Sequence, residues 1–212
     1  MNLPNALTLL RIFFVPLLVA ALVQRKVEWD LLGFPLSSEM FALWIFLAAA
    51  LTDLLDGYLA RRWGQITTVG TLLDPIADKM LISAALISLV QTGDVPAGIT
   101  ILIIGREFAI SGLRTIAASA GYTIKASDLG KTKMVFQVLA ISLVILGMRY
   151  PALVEVARWS MWAVVFFSIA SALSYFAKFW GKVDAHVKEN RRRQFLQLGR
   201  RRKRTRAAVG GA

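Results

Sequence analysis

The sequence predicts an all-α, polytopic membrane protein with six transmembrane helices and both termini in the cytoplasm. Three observations carry that reading. The chain of 212 residues is 57% hydrophobic with a mean hydropathy of +0.59, more apolar than a soluble core requires. Its apolar stretches recur at about the 20 residues a helix needs to cross hydrocarbon. Basic residues gather on alternate connections, as a fixed membrane orientation demands.

The stretches are taken in order. Residues 7–24 are interrupted only by Arg11, and 38–60 are apolar up to a polar end beginning at Thr52. Residues 70–91 open on aspartates and then run apolar, 95–116 carry Arg106, Glu107 and Arg114, 132–148 form the shortest span, and 154–180 the last. A plain hydropathy window blurs the second, third and fourth, because they hold charges. Breakers separate them at Lys26–Asp30, Gly64, Gly93-Asp94-Val95-Pro96, Gly121 and Arg149-Tyr150-Pro151. All six read as helices, since lipid admits only helices or closed barrels and no two-residue alternation is visible. Pro75 fits best in the first turn of a third helix beginning near Gly70.

With both termini inside, Arg11, Arg61, Arg62, Lys79, Arg106, Arg114, Lys125, Lys131 and Lys133, and twelve further basic residues from Lys178 onward, lie on the cytoplasmic side. Only Arg25, Lys26, Arg149 and Arg158 lie outside. The net charge of +12 comes mostly from the end of the chain. Residues 1–180 therefore read as a membrane domain and 181–212 as a basic cytoplasmic tail. For a membrane protein such a tail suits anionic lipid headgroups better than nucleic acid, at about 1 kcal/mol per basic residue. No basic segment precedes the first apolar run, so no signal peptide is expected. There is no cysteine, and the one histidine, His186, falls in the tail and reads as solvated. Any metal must use oxygen ligands, which points to Mg²⁺, Mn²⁺ or Ca²⁺ rather than zinc.

The chemistry concentrates in one run: Asp53-x2-Asp56-Gly57-x2-Ala60-Arg61-x8-Gly70-x3-Asp74-x3-Asp78. Acids at membrane depth cost roughly 2.5–3.5 kcal/mol each on insertion scales. Four together need cations to neutralise them. Asp53, Asp56, Gly57 and Ala60 share one face of the second helix, and Gly70, Asp74 and Asp78 recur every four residues on the third. Two antiparallel neighbours can bring those faces together around one or two metal ions at the cytoplasmic mouth. Gly57 and Ala60 leave the helix surface bare for a bulky ligand, and Arg61 can reach a phosphate. Interfacial acids merely paired with Arg61, Arg62 and Lys79 would not need this spacing. A divalent-cation transporter would distribute its acids through the membrane rather than gather them at one mouth.

Membrane prenyltransferases also hold a diphosphate on aspartates, but their first motif needs Asn before the first Asp and a third acid; here those positions are Thr52 and Ala60. The full run instead resembles the signature of the CDP-alcohol phosphatidyltransferases, with every fixed position filled. That resemblance implies the family's six-helix fold and a reaction in which an alcohol attacks the lipid-side phosphorus of a CDP-linked lipid and expels CMP. It implies Mg²⁺ or Mn²⁺ as cofactor, in all two ions, with Asp53, Asp56 and Asp74 as ligands. Asp78 would be the general base, within the same metal set, and Gly57, Ala60 and Arg61 the nucleotide side. A homodimer in a bacterial inner membrane is implied too.

A second cluster bears on the acceptor. Arg106, Glu107 and Arg114 fall on one helical face, and Gly130-Lys131-Thr132-Lys133 opens the fifth span. Basic residues there can receive an anionic acceptor across the bundle, though topology alone also explains cytoplasmic-edge cations. Arg106-Glu107-x3-Ser111-x2-Arg114, then Gly130-Lys131-x-Lys133 and Gln137, together with Leu3–Arg11, are similar to the phosphatidylglycerophosphate-forming branch of that family. Met134 departs from the threonine expected there. The implied substrates are CDP-diacylglycerol and sn-glycerol 3-phosphate, the latter bound by Arg106, Arg114, Lys131 and Lys133. Phosphatidylglycerol (cardiolipin synthesis) or an inositol phosphate is the alternative acceptor.

Overall fold

The computed structural model describes residues 3–24, 29–31, 34–63, 68–119, 121 and 128–209, with side chains described over 6–24, 37–53, 70, 73–119, 121 and 133–181. Six long helices follow one another: α1 (Leu3–Val23), α2 (Ser38–Trp63), α3 (Thr68–Gln91), α4 (Ala97–Ser119), α5 (Asp128–Arg149) and α6 (Val154–Val209). Each coincides with one expected span. At 1.5 Å per residue, even α1 with 21 residues is about 31 Å long, the thickness of the hydrocarbon layer. Two of them, over Ala6–Val23 and Pro151–Gly181, pass a simple hydropathy test for crossing a membrane. The charges on α2, α3 and α4 lower their window averages.

The helix ends follow local chemistry. Gly93 adopts φ +83° after α3, where its N–H reaches the Val90 carbonyl at 3.0 Å and the Asp94 N–H reaches Leu89 at 2.9 Å. This is a Schellman cap, which favours glycine because a Cβ strains the left-handed backbone. Tyr150 is extended before Pro151, as the residue preceding a proline prefers, and a single 3₁₀ turn over Pro151–Leu153 leads into α6.

Two features depart from expectation, and a third goes beyond it. The α1–α2 connection holds a short antiparallel ribbon, β1 (Trp29–Leu31) against β2 (Phe34–Leu36), in a stretch that reads as a plain breaker. Helix α3 begins at Thr68, earlier than Gly70, so Pro75 lies in its interior rather than its first turn. There the ring removes one helical hydrogen bond and crowds the carbonyl four residues earlier, between Gly70 and Asp74. Finally, α6 continues its helical backbone through the basic tail to Val209. Residues 182–206 contain no proline and are rich in Arg, Lys, Gln and Leu, all good helix formers.

The packing follows from one stripe per helix. Helix α1 buries Thr8, Arg11, Val15, Leu18 and Leu22, spaced by three and four. Helix α5 buries Lys133, Gln137, Ala140, Ile141, Val144 and Ile145, and α6 buries Ala157, Met161, Val164, Ser168, Ser171 and Tyr175. Among the described residues, α1 packs along both α2 and α3, whereas α2 and α3 touch each other less; α5 joins α2 to α6, and α4 lies on α6. Leu18, Leu22, Phe46, Leu86, Leu89, Ile103, Ile141 and Ile145 form one continuous core. Outward faces carry Phe13, Trp44, Ile87, Ile101, Trp159, Phe166 and Leu173, each more than half exposed. An apolar surface on every side suits lipid and not water.

Candidate active site

The buried stripes of five helices change character towards the same end of the bundle. On α1 the leucines give way to Arg11 and Thr8; on α2, Phe46 and Ala49 give way to Asp53; on α3, Leu81 gives way to Asp78 and Asp74. On α5 the isoleucines give way to Gln137 and Lys133, and on α6 Val164 gives way to Ser168, Ser171 and Tyr175. Polar groups therefore meet polar groups at one mouth, which is the arrangement that makes their burial tolerable.

At its centre is Arg11, fully buried. Its Nη1 lies 3.1 Å from Asp53 Oδ1 and donates to Asp78 Oδ1 at 2.6 Å. Thr8, one turn earlier, donates its hydroxyl to Asp74 Oδ1 at 2.5 Å. Over their described residues, the two aspartate-bearing helices are linked through α1. Helix α1 packs against both and ties them through one guanidinium and one hydroxyl. Sequence reading counts Arg11 merely as a cytoplasmic-side cation. The signal that it points inward is its place in the Thr8–Arg11–Val15–Leu18–Leu22 stripe.

Two carboxylate oxygens converging on one cationic nitrogen are disposed as ligands of a single cation would be, and oxygen-only donors suit a hard divalent ion. Among the described residues no three Asp, Glu or His side chains close on one point. Asp56, Gly57, Ala60 and Arg61 lie on helical backbone of α2, but their side chains fall outside the described residues, as does that of Lys131 on α5.

The second cluster faces the same mouth. Arg106 donates from Nη1 to Glu107 Oε1 at 3.1 Å and from Nη2 to Ser171 Oγ at 2.7 Å. Glu107 also forms an ion pair with Lys133, so one carboxylate links cations from α4 and α5. A half-buried carboxylate between two cations fixes both heads where either alone could swing. Asp74, Asp78, Arg106, Glu107, Arg114 and Lys133 all line one open cavity of about 440 Å³. The aspartates and the basic cluster therefore share a single volume, large enough for a small phosphorylated molecule. Glu107, Ser171 and Tyr175 enter the site without having been singled out as binding groups. Ser171 and Tyr175 come from α6, whose sequence reads only as an apolar span.

Comparison with known proteins places the chain in a family. The sequence profile of the CDP-alcohol phosphatidyltransferases matches residues 1–170. The CDP-diacylglycerol–glycerol-3-phosphate 3-phosphatidyltransferase of Bacillus subtilis is 40% identical over 186 residues, covering 84% of this chain and 95% of that protein. Its namesake in Rickettsia bellii is 35% identical, over 82% of this chain and 93% of the relative. A probable phosphatidylglycerophosphate synthase of Mycobacterium tuberculosis is 38% identical, over 84% and 81%. The apo crystal structure of Mycobacterium tuberculosis phosphatidylinositol phosphate synthase shares the fold, with a TM-score of 0.57 at 18% identity over 84% of this chain and 90% of that one. The chain belongs to the CDP-alcohol phosphatidyltransferase family.

Proposed function

We propose that the protein transfers the phosphatidyl group of CDP-diacylglycerol to sn-glycerol 3-phosphate, releasing phosphatidylglycerophosphate and CMP. One observation carries this reading: the cavity in which Asp74 and Asp78 share a volume with Arg106, Arg114 and Lys133. A carboxylate that takes a proton and cations that hold a dianion are what an anionic acceptor needs. The named relatives, 35–40% identical over most of the chain, carry the same activity in their names.

The division of labour is as follows. Enzymes of this family generally depend on divalent metal ions. Asp53, Asp56 and Asp74, together with Asp78, would hold Mg²⁺ or Mn²⁺, two ions in all; when bound, the metal would neutralise the diphosphate charge and polarise its phosphorus. Gly57 and Ala60 let the nucleotide approach the α2 backbone, and Arg61 pairs with its phosphate. Arg106, Arg114, Lys131 and Lys133 seat the acceptor phosphate, and the Glu107 bracket keeps Arg106 and Lys133 in place. Asp78 then accepts the proton of the acceptor hydroxyl as its oxygen bonds to the lipid-side phosphorus and the bond to CMP breaks. The ion pair to Arg11 fixes the position of the Asp78 side chain.

All six helices cross a bacterial inner membrane with both termini inside, so the polar mouth opens to the cytoplasm where the acceptor is dissolved. Lipid enters from the inner leaflet, the tail meets anionic headgroups, and the protein works as a homodimer. The test is CMP release by purified protein given CDP-diacylglycerol with glycerol 3-phosphate, phosphatidylglycerol or inositol phosphate. Release with glycerol 3-phosphate alone is expected. Release with either of the others and not with glycerol 3-phosphate would overturn the acceptor while leaving the reaction class intact.

A further inference from the structure

Gln137 lies on the buried stripe of α5, only 3% exposed, and lines the same cavity as the acceptor cations. Its Nε2 finds no hydrogen-bond partner among the described residues. On its inner side along the stripe lie Ala140 and Ile141, which offer nothing polar from their side chains, and on its outer side lies Lys133. A buried amide donor left unpaired is costly, and a native structure retains one where a ligand, an ion or an ordered water completes it. Gln137 stands four residues, about 6 Å of helix, beyond Lys133. That is the scale of a three-carbon backbone whose phosphate sits on Lys133. The phosphate is already served by the charged groups of Arg106, Arg114 and Lys133, which line the same cavity. A neutral group able to donate and accept is matched to a neutral hydroxyl.

Resting on the acceptor assigned above, we propose that Gln137 is a specificity residue that hydrogen-bonds the secondary hydroxyl of glycerol 3-phosphate. The cations then recognise only that the acceptor is a phosphate, and Gln137 recognises that it is a glycerol. A site built around a hydroxyl discriminates against the analogue lacking it far better than an apolar pocket discriminates by size, because the buried partner is left unpaired.

The test compares glycerol 3-phosphate with 3-hydroxypropyl phosphate, which keeps the attacking hydroxyl and the phosphate but lacks the middle hydroxyl. The wild type should prefer glycerol 3-phosphate by roughly 10–100-fold in kcat/KM. In Gln137→Met the preference should fall to within about threefold of unity, with kcat/KM for the analogue little changed. A merely structural role would lower both acceptors together and keep the ratio. Gln137→Leu serves as the second variant should the methionine variant fail to fold, judged by its tryptophan-fluorescence melt. A wild type that does not distinguish the two acceptors, or variants that keep the wild-type ratio, would overturn the inference and leave only water on the amide. A wild type inactive with glycerol 3-phosphate but active with another acceptor would instead overturn the acceptor reading on which the inference rests.

Discussion

Replacing Arg11 with methionine removes the cation that ties α1 to both aspartate helices and leaves the buried volume nearly filled. Asp53 and Asp78, whose oxygens now lie 3.1 and 2.6 Å from one nitrogen, would then lose the cation they share. Breaking a fully buried pair from one side costs about 3–5 kcal/mol. Here the carboxylates are 17% and 31% exposed, so water screens part of the loss and the lower end, about 3 kcal/mol, is expected. For a chain of this length that is a fall in Tm of about 6–12 °C in metal-free buffer. The chain has six tryptophans and no cysteine, so intrinsic fluorescence in detergent is a suitable probe. Adding Asp78→Asn to Arg11→Met should recover part of the loss, giving a coupling of about 1–3 kcal/mol. Added Mg²⁺ should also raise the Tm of Arg11→Met more than that of the wild type, because a divalent ion replaces the missing charge. Strictly additive single and double variants, together with equal metal-induced shifts, would refute the bridging role of Arg11.

Three further outcomes follow from the same geometry. Asp78→Asn should abolish turnover while binding of CDP-diacylglycerol, followed by equilibrium binding of a labelled lipid, survives; near-wild-type turnover would remove Asp78 as the base. Asp56→Ala should lose activity that excess Mn²⁺ does not restore, and full activity in that variant would rule it out as a ligand. Glu107→Gln should raise KM for glycerol 3-phosphate about tenfold or more, by loosening the bracket on Arg106 and Lys133, with the KM for CDP-diacylglycerol little changed. Equal rises for both substrates would mean general damage to the site.

Much of this site is legible in the sequence, for identifiable reasons. The aspartates announce themselves because helical spacing and small residues are local properties, and four acids in apolar surroundings demand an explanation. Arg106 and Lys133 are readable because charges stand out against isoleucine and leucine. The part played by α1 is not, since Arg11 meets Asp53 and Asp78 across 42 and 67 residues of chain and only tertiary packing reveals it. Glu107 looks like a companion to Arg106 until Lys133 is seen on its other side. Ser171 and Tyr175 are hidden in a stripe whose other members are apolar. Pro75 was misplaced because proline favours a first helical turn, and two further residues of helix before Gly70 shift it inward. The β1–β2 ribbon has strands of three residues each, too short for alternation to register.

The most direct measurement follows the oxygen. Purified protein is given CDP-diacylglycerol and sn-glycerol 3-phosphate carrying ¹⁸O in its primary hydroxyl, and both products are examined by mass spectrometry. Attack of that hydroxyl on the lipid-side phosphorus puts the label into phosphatidylglycerophosphate, one for each CMP, and leaves the CMP unlabelled. Label in the nucleotide, or CMP released without labelled phosphatidylglycerophosphate, would contradict the assignment of acceptor and reaction together.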